Sequence, residues 1–308
     1  MVGMGRKLLI LGAVTLAIIA GAEGVQRLRA PARTDSLPYY HADNRIGYIP
    51  LPNQSGIYRG GRWVLNELSM GTDRPFAPTA GRDILLVGDS IVFGINLRQS
   101  DKLGAQLEQA TGARVWPIGV PSWAFQNELQ YLRDHPQVVA GADQIVFVLN
   151  GADFDRPTSW KADETHPLPP RLPRFLLWEA IVRHVRSLTG IRPDPAPVQV
   201  SADMRVAPRD NAADLAALVA GAGKPVLLVF YPNRAQAEAG DPCGFPLPSV
   251  ARVAGVATLC IKQDARWSPG LYADYIHPSR QGSDALAQII AAALDGPGAT
   301  PVAQPTVR

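Results

Sequence analysis

Five short apolar runs, each closed by a turn and followed by residues with helical spacing, narrow the folds open to this sequence. The runs are 83–88 (DILLVG), 114–119 (RVWPIG), 144–150 (QIVFVLN), 225–231 (PVLLVFY) and 256–261 (VATLCI). Helical spacing follows at 101–112, where Leu103 and Leu107 share a side and Gly112 suits the position after a helix end. It recurs at 124–135, with Phe125, Leu129 and Leu132 on one face, at 211–223, and at 279–294 as the closing helix. Runs that are apolar at every position, not at alternate ones, belong to strands covered on both faces. That is the signature of a parallel sheet between helical layers, an α/β fold. Such sheets hold their ligand sites at the carboxyl ends of the strands.

The 308 residues suffice for one large α/β domain with extra segments, or two small ones. A net charge of +3 with no Lys/Arg block leaves nucleic-acid binding without support. Arg6 and Lys7 precede the uncharged run Leu8–Ala22, which Glu23 ends. A basic start, an apolar core and the small residues Ala20-Gly21-Ala22 describe a secretory signal over 1–23, or a retained membrane anchor of tight length. Residues 24–81 are rich in turn formers and are expected to be an irregular lead-in packed on the main domain, which runs from 82 to 295. A Pro-rich insertion at about 156–208 interrupts it. Within that insertion 174–188 (RFLLWEAIVRHVRSL) is amphipathic; Leu176, Leu177, Ile181 and Val185 are expected to pack on the domain, the alternatives being that the helix covers the mouth of the site or touches a membrane surface. The tail 296–308 is expected to be disordered. Cys243 and Cys260 either pair as a disulfide in an oxidising compartment or are two unrelated small core residues. They come without clustered histidines, so the sequence offers no metal site, and no cofactor is called for.

Three groups of residues carry chemistry. The first run ends on Gly88-Asp89-Ser90, where a strand end presents a hydroxyl beside the free N–H groups of a helix start. Read blandly, Asp89 or Ser90 only caps a helix. Near the end stands DYIHPSRQG, with Asp274 and His277 three residues apart and Pro278 suited to a first helical turn. A serine nucleophile needs a base, and the base needs an acceptor that fixes its tautomer. Of the other histidines, His135 has Asp134 beside it at a helix end, and His41, His166 and His184 stand in stretches without pattern. An acyl transfer also needs donors for its oxyanion. Gly119 and Asn150, each at the end of a run, offer a backbone N–H and a side-chain amide.

These features resemble the SGNH (GDSL-type) hydrolases: GDS first, then Gly119 and Asn150 at successive strand ends, then DYIHPSRQG, in that order over roughly 82–294. The lead-in IPLPN…NELSMGTDR is similar to that of membrane-linked bacterial members. The resemblance implies a three-layer α/β/α sandwich with a five-stranded parallel sheet, flavodoxin-like in outline. It implies Ser90 as nucleophile, His277 as base, Asp274 as its partner, and the Ser90 N–H, Gly119 N–H and Asn150 as oxyanion hole. The sequence departs from the family pattern at Val148 and Gly151, where glycine and aspartate are usual, and at Ser279, where asparagine is usual. Asp153 and Asp155 follow closely, and Asp153 with Asp89 is expected in a supporting role.

The main expectation is an exported serine esterase that removes acyl groups, acetyl first among them, from a glycan, lipid or other ester. It would be periplasmic or secreted, or held at the inner membrane by its N-terminal segment. An O-acyltransferase acting on extracytoplasmic polysaccharide would use the same triad and would draw on a membrane protein as acyl donor. A non-catalytic glycan-binding or scaffold protein would keep the fold without the chemistry.

Overall fold

The computed structural model describes residues 2–29, 32–33, 37–58, 60–159, 176–189, 205–238, 241 and 243–296. It opens with the helix α1 (Val2–Arg29). The lead-in holds short strands: β1 (Ala32–Arg33), β2 (Tyr40–Asp43), β3 (Gly47–Pro50), β4 (Ser55–Tyr58) and β5 (Gly61–Val64). β2 and β3 form an antiparallel pair, and β4 bridges β1 and β5 in a second small sheet. These segments are not a separate body. Tyr40, Ile46, Tyr48 and Met70 lie in the same core cluster as Leu85 and Trp116 of the main sheet.

The main sheet is built from β6 (Asp83–Gly88), β7 (Arg114–Gly119), β8 (Gln144–Leu149), β9 (Val226–Phe230) and β10 (Val256–Cys260). All five pair in parallel, in the spatial order β10-β9-β8-β6-β7. The helices are α2 (Ser90–Phe93), α3 (Leu103–Thr111), α4 (Phe125–Asp134), α5 (Pro136–Ala140), α6 (Leu176–Thr189), α7 (Asn211–Ala222), α8 (Arg234–Glu238) and α9 (Arg280–Asp295). Successive strand residues point to opposite faces, so two cores form. Leu85, Val87, Trp116, Phe147, Leu228 and Phe230 face α4 and α7. Ile84, Leu86, Val115, Val146, Leu227 and Val229 face α3 and α9 through Leu103, Leu107, Leu286 and Ile290. This is the α/β/α sandwich expected from the sequence. Its first strand sits inside the sheet with the second on one side and the third on the other, a flavodoxin-type order. The chain therefore reverses direction of travel at the end of β6, the point where such sheets leave a crevice.

Helix ends follow their local chemistry. Gly112 and Gly223 take left-handed φ values of 67° and 60° after α3 and α7, where a Cβ would be strained. Asp210 caps α7 by accepting from the N–H groups of Ala212 and Ala213. Pro278 stands before the cap residue Ser279, outside the first turn of α9. It pairs with Tyr272 in an isolated bridge, and Ser279 caps the helix, its hydroxyl oxygen accepting from the Gly282 N–H at 3.1 Å.

Cys243 and Cys260 form a disulfide that ties the loop after β9 to the last residue of edge strand β10. It closes a loop of 17 residues. The expected cost of the double Cys243→Ser/Cys260→Ser change is about 3 kcal/mol of stability from the lost constraint on the unfolded chain. Urea titration of the two proteins checks it; coincident midpoints would show that the bond adds nothing.

α6 differs from its sequence expectation. Ile181 and Val185 are exposed and do not pack on the sheet domain. The helix touches α1 instead, and the Leu177 N–H donates to Glu23 Oε2 at 2.7 Å. The rest of the Pro-rich insertion, 160–175 and 190–204, and the tail from 297 lie outside the described residues. Among the described residues no helix is long and apolar enough to cross a membrane.

Candidate active site

The end of β6 shapes the first wall. Val92 Cγ2 and the Val148 carbonyl lie 2.6 and 3.0 Å from where a Cβ on Gly88 would sit. Only glycine lets α2 fold back so closely over β6 and β8. Asp89 caps α2, its Oδ1 accepting from the Ile91 N–H at 2.8 Å. Ser90 is thus the first residue of a helix and is buried. Gly119, at the end of β7, lies under the same helix. A Cβ there would collide with the backbone nitrogen of Phe93. β7 is one of the two edge strands of the described sheet. The Val120 N–H, next along the chain, donates to the Gly88 carbonyl at 3.3 Å and holds this end of β7 against the end of β6.

The second wall is the loop before α9. The Ala273 N–H donates to the His277 carbonyl and the Ser279 N–H to the Leu271 carbonyl, closing a tight turn. Tyr231 donates its hydroxyl hydrogen to the Ile276 carbonyl at 2.7 Å and holds that turn to the end of β9. Within it, Asp274 Oδ1 accepts from the N–H groups of Ile276 and His277 at 2.9 and 2.8 Å. Asp274 Oδ2 stands 2.8 Å from His277 Nδ1, and His277 Nε2 stands 2.9 Å from Ser90 Oγ. Burial pushes the Asp274 carboxyl up, but the Ile276 N–H and the His277 ring and N–H outweigh it. The group lies below its ordinary value, so it is ionised at neutral pH. An ionised acceptor at Nδ1 draws the imidazole proton there and leaves the Nε2 lone pair toward the serine hydroxyl. Ser90, His277 and Asp274, which the sequence reading grouped, are therefore one continuous hydrogen-bonded chain.

Asn150 forms the third wall. It caps the short turn Gly151–Phe154, with its Oδ1 accepting from the Ala152 N–H at 2.9 Å and its N–H donating to Asp153 Oδ2 at 2.7 Å. Its amide nitrogen lies 3.1 Å from Asp89 Oδ2 and 3.2 Å from Asp153 Oδ1. An amide nitrogen carries two hydrogens, and here each has a carboxyl acceptor. A substrate oxyanion must compete with one of them. Asp153 takes the supporting place, three residues after the asparagine, whereas Asp155 is exposed.

Behind these groups lies a residue the sequence reading missed. Glu128 of α4 is fully buried, and neither carboxyl oxygen has a hydrogen-bond partner among the described residues. Burial, then the charges of Asp153 and Asp89, hold it well above the ordinary carboxyl value. Burial does the same to Asp153, followed by the charge of Asp89. Asp89 is raised to about 6 by burial, against the opposing pull of the Ile91 N–H and His277. Three carboxyls this close, out of water, cannot all be ionised. Lys102 was also missed. It is buried with its Nζ 4.8 Å from the centre of the Phe93 ring on α2, and burial lowers its amine to about 7. The signal for both is visible only after folding, since neither position breaks a sequence pattern.

An open cleft of about 440 Å³ adjoins the histidine loop, between Asn96, Leu97 and Arg98 on one side and Ala273, Pro278 and Arg280 on the other. Arg280 crosses part of it to pair with Asp101 at 3.2 Å.

No protein-family model and no curated protein matches the sequence. Among solved structures, the chain is similar to a lipolytic protein of the G-D-S-L family from Desulfitobacterium hafniense, at 15% identity and a TM-score of 0.34, over 68% of this chain and 97% of that one. It is also similar to a lipolytic G-D-S-L family member from Veillonella parvula, at 12% identity and 0.39, over 70% and 97%. A third similar structure is an acetyl xylan esterase from Butyrivibrio proteoclasticus, at 10% identity and 0.33, over 71% of this chain and 64% of that one.

Proposed function

We propose that this chain is a serine esterase of the SGNH type that removes an acyl group, acetyl in the simplest case, from a glycan, lipid or other ester. The observation that carries the reading is the Oγ–Nε2 distance of 2.9 Å continued by the Nδ1–Oδ2 distance of 2.8 Å. Ser90 Oγ attacks the ester carbonyl while its proton passes to His277 Nε2. Asp274 stabilises the imidazolium. The tetrahedral oxyanion is met by the Ser90 and Gly119 N–H groups and by Asn150 Nδ2 once that nitrogen exchanges one carboxyl partner for the substrate oxygen. Collapse expels the alcohol, which takes the proton from Nε2 and leaves an acyl-enzyme on Ser90. Water, deprotonated by His277, then releases the acid and restores the serine hydroxyl. The cleft that adjoins the histidine loop at Ala273 and Pro278 is offered as the place for the alcohol portion, since its arginines and Ser279 suit a hydroxyl-rich group such as a sugar. The disulfide supports an oxidising, extracytoplasmic location, and the exposed apolar run of α1 supports attachment to the membrane there.

The test is a fluorophosphonate probe followed by product analysis. The intact protein should label, His277→Ala should label far less, and the label should map to Ser90 by mass spectrometry. Incubation with an acyl ester, with and without a sugar acceptor, separates the two fates of the acyl-enzyme: free acid identifies the esterase, acylated sugar the transferase. A folded protein that never labels would overturn both.

A further inference from the structure

We propose that the Trp178–Leu188 face of α6 lies on the surface of an anionic lipid bilayer, next to the point where α1 enters it. This rests on the membrane attachment of α1 proposed above and not on the esterase chemistry. Trp178, Ile181, Val185 and Leu188 are 64, 46, 49 and 73% exposed. Their spacing of three, four and three residues places them on one side of the helix. Four large apolar side chains in one stripe, left uncovered by the domain they belong to, mark a contact surface.

Three observations choose the bilayer as the contact. First, α1 is exposed at every position from Ile10 to Gly21 and is apolar on all sides. A helix apolar all round covers only one side by lying on a protein face; hydrocarbon covers every side of it at once. Second, α6 starts where that apolar run stops. The Leu177 N–H is bonded to the carboxylate of Glu23, the first charge after Leu8–Ala22. A carboxylate stays at headgroup depth, so this bond holds the beginning of α6 at the same depth. A helix at that level with one apolar side has the form of an interfacial helix. Third, the sequence from 171 to 192 contains Arg171, Arg174, Arg183, Arg186 and Arg192 against Glu179 alone. That charge selects an anionic lipid surface over a neutral one.

The test uses the full chain carrying a nitroxide at a single introduced cysteine, Trp178→Cys or Leu188→Cys, with Ile57→Cys of β4 as the water-facing control. Thermal melts confirm that each labelled chain folds. The chains are mixed with vesicles of phosphatidylglycerol and phosphatidylcholine, then floated. Accessibility of each label to oxygen and to a water-soluble nickel chelate is read by power saturation. Expected is co-flotation, with labels at 178 and 188 at least fivefold less accessible to nickel than the control, and a weaker effect in pure phosphatidylcholine. Co-flotation with all three labels equally open to nickel overturns the role of α6 and leaves that of α1 standing. Failure to float overturns both. Shielding without lipid that grows with protein concentration overturns the proposal in favour of a second copy of the chain.

Discussion

Replacing Ser90 by alanine is expected to lower kcat on a simple acetyl ester by about 10⁵-fold or more, leaving only what a bound substrate gains from the surrounding donors. The fold should be unaffected, because Asp89 and not Ser90 caps the helix. Asp274→Asn is the sharper companion. The two N–H groups of Ile276 and His277 pin one oxygen of residue 274. An asparagine therefore keeps its carbonyl there and turns its NH₂ toward His277 Nδ1. That nitrogen must then accept, the proton moves to Nε2, and the ring can no longer take the serine proton. A loss of about 10⁴-fold in kcat is expected, with little change in KM. Steady-state kinetics on both variants, with melting curves as controls, reads the result. A Ser90→Ala chain that keeps a tenth of the activity would mean the nucleophile lies elsewhere.

The second large effect is on stability. Glu128 is isolated from water and from partners, and its folded pKa is raised above the ordinary 4.5. A raised carboxyl keeps its proton in the folded chain while the unfolded chain releases it. Its favourable contribution is complete below about pH 4.5 and is lost as pH rises toward the folded pKa. Glu128→Gln has nearly the same shape as the protonated glutamic acid and no proton to hold. Above about pH 4.5 the variant should gain on the native chain as pH rises, by up to about 1.4 kcal/mol per pH unit until the folded pKa of Glu128 is reached. Denaturant titrations of both proteins at several pH values measure the gap. Parallel curves would show that Glu128 is ionised in the fold. Asp89, raised to about 6 by burial, contributes in the same direction but ceases to do so above that pH.

The sheet and its helices were legible because their signal is local. Apolar runs of six or seven residues marked β6 to β10 to within a residue or two, and the order of the motifs placed Ser90 and Asn150 at strand ends and His277 just before the last helix. What was not legible depends on neighbours distant in sequence. α4 reads as a helix with one apolar face at Phe125, Leu129 and Leu132, yet it is buried on every side under the lead-in and the sheet. That is why Glu128 hides among residues that look solvent-facing. α6 reads as a packed helix, and its pattern does not say whether protein or another medium covers the stripe. The short strands of the lead-in pair over only two to four residues, too few to impose an alternating pattern among so many turn formers. The competition for the hydrogens of Asn150 also appears only in three dimensions, since Asp89 lies 61 residues away.

His277 reaches Ser90 across 187 residues of chain, and it does so from the loop that precedes the last helix, which packs against α3. Synthesis runs from the amino end, so a growing chain carries its serine long before it carries the group that activates it. The hydroxyl stays an ordinary alcohol until α9 has emerged and docked. Reactivity toward esters is thereby coupled to completion of folding, and a chain truncated within α9 would be inert however well its first strands had formed.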